Sequence, residues 1–317
     1  MPPSLQDSRD KHQKLGHFSL VLVQVCFGLY PAFGTLAMQS FSGPIVTAYR
    51  VLFAALVLGG LAWLWHGRAM LPRRGDLLRL QFCALLGVTI NQLLFLEGLQ
   101  RSTTYNAGLI MGSIPIFTYL IAALARQERL CLVRVLGIFV AMAGTGTLFF
   151  GKGADLHNEY LSGNLLMLTN ACCYSAYIVV SKPLLRRYPP LVVSAWVFLL
   201  SAWLVPIYSL GQNWAPSDAG ASALWSLVYV LLFPTILAYL LHSFALSQVA
   251  SSTTAIYTYL QPVIATLAGI WILSEHPGWP VLWAGIVIFI GLGLVLWPRP
   301  TTSSMQPHHS THAKETE

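Results

Sequence analysis

The stretch that decides the fold is IPIFTYLIAALARQERL, residues 114–130, in which Pro115 begins an apolar run that closes on Glu128. A second stretch, QPVIATLAGIWILSEHP, carries Pro262 and Glu275 at the same spacing. Both the prolines and the glutamates are 147 positions apart. A proline inside an apolar run removes a backbone hydrogen bond and bends a helix. The two stretches therefore predict two equivalent bent helices, each closing on a glutamate.

The composition places these helices in a membrane. Of the 317 residues, 56% are hydrophobic and 9% are charged, whereas a soluble domain has roughly 25% charged residues. Apolar runs of 18 or more residues follow one another along the chain, and each is long enough to cross a bilayer. The basic residues behind the pI of 9.3 are scattered over short loops, which predicts no nucleic-acid partner. The chain is expected to be an all-α integral membrane protein surrounded by the lipid bilayer.

Ten transmembrane helices are predicted, with short connections that leave no room for a soluble domain. They group into a first five-helix repeat at 17–150 and a second at 161–297, between a polar N-terminal tail at 1–16 and a disordered tail at 298–317. The predicted spans are 17–37, 44–65, 78–98, 104–125, 131–150, 161–182, 191–210, 222–246, 254–274 and 279–297.

Lysine and arginine are distributed unevenly between the two sides of the predicted spans. With the N-terminus in the cytoplasm, fifteen of them fall in inner segments and only Arg101 and Lys152 in outer ones. Cytoplasmic loops carry an excess of these residues. Both termini are therefore predicted to be cytoplasmic (N-in/C-in), in agreement with an even number of spans. The inner ones are Arg9, Lys11, Lys14, Arg68, Arg73, Arg74, Arg79, Arg126, Arg129, Arg134, Lys182, Arg186, Arg187, Arg299 and Lys314.

The spacing of 146 to 147 residues also relates Pro44 to Pro190 and Leu99 to Leu246. Because each half holds five spans, an odd number, the second half must enter the membrane from the opposite side. Two such halves form an inverted repeat, a plan that suits alternating access. The alternative is that prolines and span-end glutamates recur by chance in a long membrane protein. The matched spacing favours duplication.

Several longer segments add a family resemblance. Among them are FGLYPAFGTLAMQSFSGPIVTAYRVLFAALVL, with an arginine in the second span, and FALSQVASSTTAIYTYLQPVIATLAGIWILSEHPGWPVLWAGIVIFIGLGLVL. In combination and order they resemble the EamA-type ten-helix transporters of the drug/metabolite transporter superfamily, over residues 17–297. The first span departs from many relatives because it has no lysine near its outer end. The resemblance implies a bacterial inner-membrane transporter, commonly an exporter of amino acids or other small metabolites. It also implies a central cavity lined by spans 1, 3, 4, 6, 8 and 9.

Uncharged polar side chains within the spans are candidates to line such a cavity. Polar groups in hydrocarbon are costly unless they face a partner or water, and several of these share helix faces at i, i+4 and i+7 spacing. The alternative is that each meets a partner at a helix contact. The nine candidates are Tyr30, Asn91, Gln92, Asn170, Tyr174, Tyr177, Tyr239, Tyr257 and Gln261.

Three ionisable side chains are expected within or close to the hydrocarbon layer: Arg50, Glu97 and His242. Arg50 and Glu97 both fall in the outer half of the membrane, where a salt bridge between them is expected because an unpaired charge is costly there. That pair would either pin the second and third spans or take part in gating or proton coupling. His242 lies near the inner end of the eighth span, where it is either a proton sensor or simply solvated.

Four prolines fall near the middle of spans 1, 4, 8 and 9. Each is expected to bend its helix, opening space or forming a hinge. They are Pro31, Pro115, Pro234 and Pro262.

Two segments imitate ligand-binding motifs. GTLFFGKG, Gly146 to Gly153, nearly matches a phosphate-binding loop, but it lacks the Ser or Thr and follows no strand. The histidines of PHHSTHAKETE belong to a polar tail. No cofactor, metal site or catalytic residue is predicted, and no HExxH or Gly-x-Ser-x-Gly motif is present.

The leading hypothesis is a solute carrier that works by alternating access and exports a small organic metabolite, such as an amino acid, across the inner membrane. A drug-efflux carrier and a facilitative exchanger are alternatives within the carrier class. An intramembrane enzyme, a channel and a scaffold are alternatives from other classes. The sequence leaves monomer and homodimer both open.

Overall fold

The computed structural model describes residues 3–127, 160–249, 251–276 and 278–295, together with residues 132–133, 136–137, 139–140 and 143–144. All regular secondary structure in these ranges is helical, which confirms the all-α class. The fifth predicted span, 131–150, lies largely outside the described residues, and Glu128 lies outside them as well.

The described helices follow the predicted spans closely. Single helical turns at Gly67–Met70, Val205–Tyr208 and Tyr257–Tyr259 lie between them. The helices are α1 (Pro3–Ala37), α2 (Gly43–His66), α3 (Arg74–Gln100), α4 (Thr104–Met111), α5 (Ile114–Leu124), α6 (Leu161–Leu185), α7 (Pro190–Ala202), α8 (Ala221–Gln248), α9 (Ser251–Ile256), α10 (Leu260–Leu273) and α11 (Trp279–Val295).

Six helical segments in the described part of the chain are long and apolar enough to cross a bilayer. Shorter apolar helices at Pro190–Ala202 and Tyr257–Leu273 accompany them. Large apolar side chains point outward, as Leu56, Leu64 and Trp271 do. Such a surface is stable only in lipid, so the chain is a multi-pass membrane protein. The six are Lys14–Ala37, Gly43–Met70, Arg74–Gln100, Asn106–Leu124, Leu161–Leu185 and Ala221–Gln248.

The first helix begins earlier than the hydrophobic pattern indicates. The pattern starts the span at residue 17, but α1 begins at Pro3. Proline is favoured in the first turn of a helix because its missing N–H has no helical partner there. The residues that follow are mostly good helix formers, so the polar N-terminal tail extends the helix beyond its apolar part.

Two helices contain a wider π-helical segment at matched positions. In α3 it spans Leu85–Thr89 and in α8 it spans Leu232–Leu237, so the two begin 147 residues apart. The second contains Pro234, whereas the first contains no proline. A π-helical turn inside an α-helix widens the helix locally, because its hydrogen bonds span five residues, and it often marks a functional site. The repeat spacing therefore extends to an irregularity of the backbone.

A second matched pair of irregularities interrupts spans 4 and 9. The chain leaves the α-helix after Met111 and resumes it at Ile114. In span 9, a 3₁₀ turn at Tyr257–Tyr259 separates α9 from α10. Helices α4 and α9 begin at Thr104 and Ser251, again 147 residues apart. Both interruptions lie beside the prolines that the sequence analysis singled out.

Helix packing follows the same repeat. The first helix lies along α10 and the C-terminal part of α8, and α6 lies along α5 and the C-terminal part of α3. Glycines permit the close approach of these helices at their ends. On α1, a Cβ added to Gly16 would lie 3.3 Å from Gln248 Cβ. On α6, a Cβ added to Gly163 would lie 2.6 Å from the carbonyl oxygens of Gly98 and Arg101. Small residues are the usual means of close helix packing in membranes.

We predict that Gly163→Ala destabilises the protein by about 1–3 kcal/mol, because the added methyl group meets backbone atoms that cannot rotate away. Thermal unfolding of the purified protein in detergent measures the effect. Gly60→Ala is the matched control, since a Cβ there meets nothing within 4 Å. Equal melting temperatures for the two variants would contradict the close contact.

Candidate functional site

A central cavity lies where the irregular helices meet. Its walls come from spans 1, 3, 4, 6, 8 and 9, as the resemblance implies, with Arg50 added from α2. The volume open to the centres of water molecules is about 60 Å³, much less than the roughly 300–1,000 Å³ of a site for a drug-sized ligand. The lining residues are Phe27, Tyr30, Pro31, Arg50, Asn91, Gln92, Phe95, Gly108, Met111, Ile114, Asn170, Tyr174, Tyr239, Gln261 and Ala265.

Most of the polar residues expected to face a cavity lie on this one. Tyr177 and Tyr257 lie elsewhere. The Tyr177 ring packs under Gly87, where an added Cβ would lie 2.5 Å from it, and the Tyr257 hydroxyl lies 2.8 Å from His17 Nδ1. The seven on the cavity are Tyr30, Asn91, Gln92, Asn170, Tyr174, Tyr239 and Gln261.

Several of these polar groups also bridge neighbouring helices. The Asn170 amide donates to the Asn91 carbonyl oxygen at 2.6 Å, which joins α6 to α3. The Gln261 amide donates to Gln24 Oε1 at 2.7 Å, which joins α10 to α1. Cavity lining and helix contact, the two alternatives of the sequence analysis, therefore coexist in the same side chains.

The guanidinium of Arg50 is buried at the cavity wall and 2% exposed. Its Nε donates to Thr235 Oγ1 at 2.7 Å, one terminal nitrogen donates to the Tyr30 hydroxyl, and the other approaches the Pro234 carbonyl oxygen at 3.4 Å. The guanidinium carbon also lies 4.3 Å from the centre of the Tyr30 ring, a cation–π distance. These neutral contacts join α2 to α1 and α8.

The prediction of an ion pair between Arg50 and Glu97 is wrong. Glu97 instead pairs with Arg101, four residues further along and just past the end of α3, and the two side chains are 39% and 52% exposed. A partner one helical turn away needs no long reach. Arg50 meanwhile finds acceptors on α1 and α8, which a sequence pattern cannot place beside it.

His242 is not the solvated interfacial residue that one alternative predicted. It is 3% exposed, and its ring lies 5.7 Å from the ring of Tyr174 and 6.4 Å from that of Tyr177. The His242 ring therefore belongs to a buried aromatic cluster with Tyr177 and with Tyr174, which lines the cavity. Its role in proton transfer stays a hypothesis.

Each of the four prolines has a distinct local structure. Pro31 lies inside the uninterrupted α1, where its carbonyl oxygen accepts a hydrogen bond from Thr35 Oγ1 at 3.0 Å. Pro115 lies in the first turn of α5, directly after the break in span 4. Pro234 lies within the π-helical segment of α8, and Pro262 in the first turn of α10. Three of the four therefore accompany an irregular backbone.

The two ends of the helix bundle are closed by polar contacts that sequence reasoning missed. At the C-terminus of α8, Lys182 Nζ donates to the carbonyl oxygens of Leu246 and Val249; we call this contact the Lys182 clamp. A cation favours a helix C-terminus because the last carbonyls lack helical partners. At the opposite end, Glu275 Oε1 accepts from the Thr104 backbone N–H at 3.0 Å. Glu275 therefore caps the N-terminus of α4.

In the described part of the chain, no group of three or more His, Cys, Asp or Glu residues is placed to hold a metal ion. The site consists of one guanidinium, amides, hydroxyls and rings around a narrow space. Such a surface can bind and release an amphipathic solute through hydrogen bonds and ring contacts.

Apolar bilayer-crossing helices, broken in matched places around a polar central cavity, define a membrane protein of the transporter class. The chain belongs to the EamA-like transporter family of the drug/metabolite transporter superfamily: the family model matches it twice, over residues 14–150 and 161–297.

Similar proteins come from plants and bacteria. A WAT1-related protein of Arabidopsis thaliana is 25% identical over 92% of this chain and 93% of its own length. A probable terminal-alkyne amino-acid exporter of Streptantibioticus cattleyicolor is 30% identical over 71% of this chain and 74% of its own length. A solved crystal structure superposes with a TM-score of 0.67 at 20% identity, covering 90% of this chain and 96% of that one; it supports the fold alone.

We predict that Thr235→Val destabilises the protein by about 1–3 kcal/mol, because it removes the acceptor of Arg50 Nε from a buried charged group. Thr47→Val is the control: Thr47 is equally buried on α2, but its hydroxyl has no hydrogen-bond partner in the part of the chain that the structure describes. The control should change stability by less than about 0.5 kcal/mol or increase it. Thermal unfolding in detergent measures both, and an equal loss for the two would contradict the Arg50 network.

Proposed function

We propose that the protein is a carrier that moves a small organic metabolite across the bacterial inner membrane by alternating access. The observation that carries this proposal is that the spans with matched backbone irregularities, 3 and 8 and also 4 and 9, all line one polar cavity. Transporter sites form where discontinuous helices of two repeats meet near the bilayer centre. The relatives named as transporters support the same class and not an enzyme.

The proposed topology has ten spans, arranged as two inverted five-helix repeats with both termini in the cytoplasm. The repeat spacing of 147 residues in helix starts and in π-helical segments supports the duplication. An odd number of spans per half requires the inversion. The excess of lysine and arginine in the predicted inner segments supports the orientation.

Amino acids and related compounds are the first candidates for the cargo, and export is the proposed direction. The similarity to a probable terminal-alkyne amino-acid exporter supports both. The cavity also suits small amphipathic solutes, because the rings of Phe27, Phe95 and Tyr174 lie beside the amides of Asn91 and Gln261. A facilitative exchanger, the alternative within the carrier class, would use the same site and would need no titratable group to couple transport to protons.

Counterflow in proteoliposomes tests the carrier proposal. Liposomes containing the purified protein are loaded with an unlabelled solute, and labelled solute outside should accumulate transiently, in a saturable manner. We expect Asn170→Leu to reduce this flux about tenfold or more, since it removes an amide from the cavity wall and the bond to α3. Thr169→Val, on the exposed face of the same helix, should leave the flux unchanged. Non-saturable flux without counterflow would support a channel instead.

The two repeats differ at the contact that closes one end of the bundle. The Lys182 clamp joins α6 to the C-terminus of α8. The residue 147 positions earlier is Thr35, whose hydroxyl donates to the Pro31 carbonyl oxygen of its own helix. In the proposed topology the clamp lies at the cytoplasmic end. It stabilises the conformation that is closed on that side, and the outer side has no equivalent cation at this position.

We predict that Lys182→Thr, which installs the residue of the matched position, opens the cytoplasmic end. The reporter is Ser243→Cys, a buried position on α8, in a chain whose five native cysteines are replaced. An impermeant maleimide added to inside-out vesicles should label it about tenfold faster in the Lys182→Thr background, because a charged hydrogen bond is lost.

The matched control for this experiment is Arg186→Thr, which removes a cation one turn further along α6 at an exposed site. It should leave the labelling rate unchanged. Slower labelling of Ser243→Cys in the Lys182→Thr background, or equal acceleration by the control, would contradict the proposed clamp.

A further inference from the structure

The charge at the cavity wall is unbalanced. Among the described residues that line the cavity, Arg50 is the only charged one. Glu97, the acid that the sequence analysis expected beside Arg50, is paired with Arg101. Asp76 is paired with Arg187, and Glu275 receives the Thr104 N–H. The described acidic side chains of the bundle therefore leave the positive charge of Arg50 uncompensated.

The hydrogen-bonding capacity of Arg50 is also incomplete. A guanidinium has five N–H groups, and three donate to Thr235, Tyr30 and the Pro234 carbonyl. Two N–H groups remain without an acceptor among the described residues. A buried cation with unused donors is costly in a membrane, so an acceptor with negative charge would stabilise this arrangement.

Gln92 provides an independent sign of a ligand at the same place. It is 2% exposed and lines the same cavity, and among the described residues neither its amide nitrogen nor its amide oxygen has a partner at hydrogen-bond distance and angle. The Tyr239 hydroxyl lies near this amide but donates to the Gly87 carbonyl oxygen at 2.5 Å, so it leaves the Gln92 amide oxygen without a donor. Buried amides are nearly always hydrogen-bonded. The unused atoms therefore indicate a polar group that the protein itself does not supply.

We infer that the cavity, which widens from the about 60 Å³ of this conformation when it is loaded, binds a small monoanionic organic acid, with its carboxylate at Arg50 and Gln92 and its apolar, aromatic body beside the rings of Phe27 and Phe95. This rests on the proposed carrier function and replaces amino acids, as its substrate class, by acids without an amino group. A carboxylate fits the planar donors of a guanidinium and can accept from the Gln92 amide as well.

Charge balance distinguishes this class from amino acids in their zwitterionic form. A monoanion brings the charge of the occupied cavity to zero. A zwitterion leaves its ammonium group without an acidic partner among the described lining residues, and an amine would add a second positive charge. Unpaired charges in a low-dielectric site are strongly disfavoured. The site therefore favours acids that lack an amino group.

A set of probes with one ring and different charges tests the inference. The purified protein in detergent is titrated with phenylacetate, phenylalanine, phenethylamine and phenylacetamide at fixed ionic strength, and thermal unfolding is followed. We expect phenylacetate to raise the melting temperature at the lowest concentration. An equal response to phenylalanine or phenethylamine would overturn the charge assignment. An equal response to sodium chloride would assign an inorganic anion to Arg50 and overturn the organic acid, and so would no response to phenylacetate, benzoate and 3-phenylpropionate.

Two substitutions tie the response to the proposed residues. Arg50→Gln should weaken phenylacetate binding about ten- to a hundredfold, as expected for a lost charged hydrogen bond, whereas the exposed Arg101→Gln should not. Because Arg50→Gln also affects the helix contacts, Gln92→Glu is the second variant. It places a carboxylate on the same cavity wall as the guanidinium without a change of shape, and should abolish the preference for the anion while the protein stays folded. Unchanged phenylacetate binding in Gln92→Glu would overturn the inference.

Flux measurements separate this inference from the carrier proposal. Counterflow of phenylalanine with no preference for phenylacetate would retain the carrier and overturn the monoanion. A melting response that is specific for phenylacetate and lost in Gln92→Glu, without flux of any probe, would retain the anion site and contradict the carrier.

Discussion

The buried guanidinium of Arg50 is the constraint on which the centre of the molecule depends. The surrounding hydrocarbon offers no acceptors, so most of them must come from the protein. Two of them come from the π-helical segment of α8, through the Thr235 hydroxyl and the Pro234 carbonyl oxygen, and the third is the Tyr30 hydroxyl of α1. Pro234 has no N–H, so a carbonyl one turn earlier lacks its helical donor; the Thr235 hydroxyl donates to the Val230 carbonyl oxygen at 2.7 Å and accepts from Arg50 Nε. The irregular backbone and the buried cation therefore support each other.

The scaffold around this cation is nearly symmetric, but its side chains are not. At the repeat spacing, Tyr30 corresponds to Tyr177, and the stack of Tyr30 on Phe95 at 4.9 Å corresponds to that of Tyr177 on His242 at 6.4 Å. Arg50 has no counterpart, because Val197 holds the matched position. The backbone repeat thus provides two equivalent frameworks, and the differences between matched side chains place the charge in one of them.

The sequence predicts the repeat and most of the cavity wall, because both depend on local patterns. Proline positions, apolar periodicity and polar residues at helical spacing lead to the interrupted spans and to residues such as Asn170 and Gln261. It does not predict the π-helical segment of α3, which has no proline, or the partner of Arg50. The acceptors of Arg50 lie up to 185 positions away, and one of them is a backbone carbonyl that carries no residue signature. Predicted depth in the membrane suggests Glu97 as the partner of Arg50, but in the structure Glu97 pairs with Arg101.

The uncompensated charge also bears on how a carrier would cycle. Closing the cavity on both sides removes water from Arg50, and without cargo this leaves two of its donors unsatisfied at a desolvation cost. In the proposed carrier, a bound monoanion would offset that cost, so the loaded protein would close more readily than the empty one. Such a carrier would exchange solute across the membrane faster than it returns empty. The Lys182 clamp and the Glu275 contact would then act on a step whose free energy the cargo has already lowered, and the charge of the cargo would matter for the transport cycle as well as for recognition.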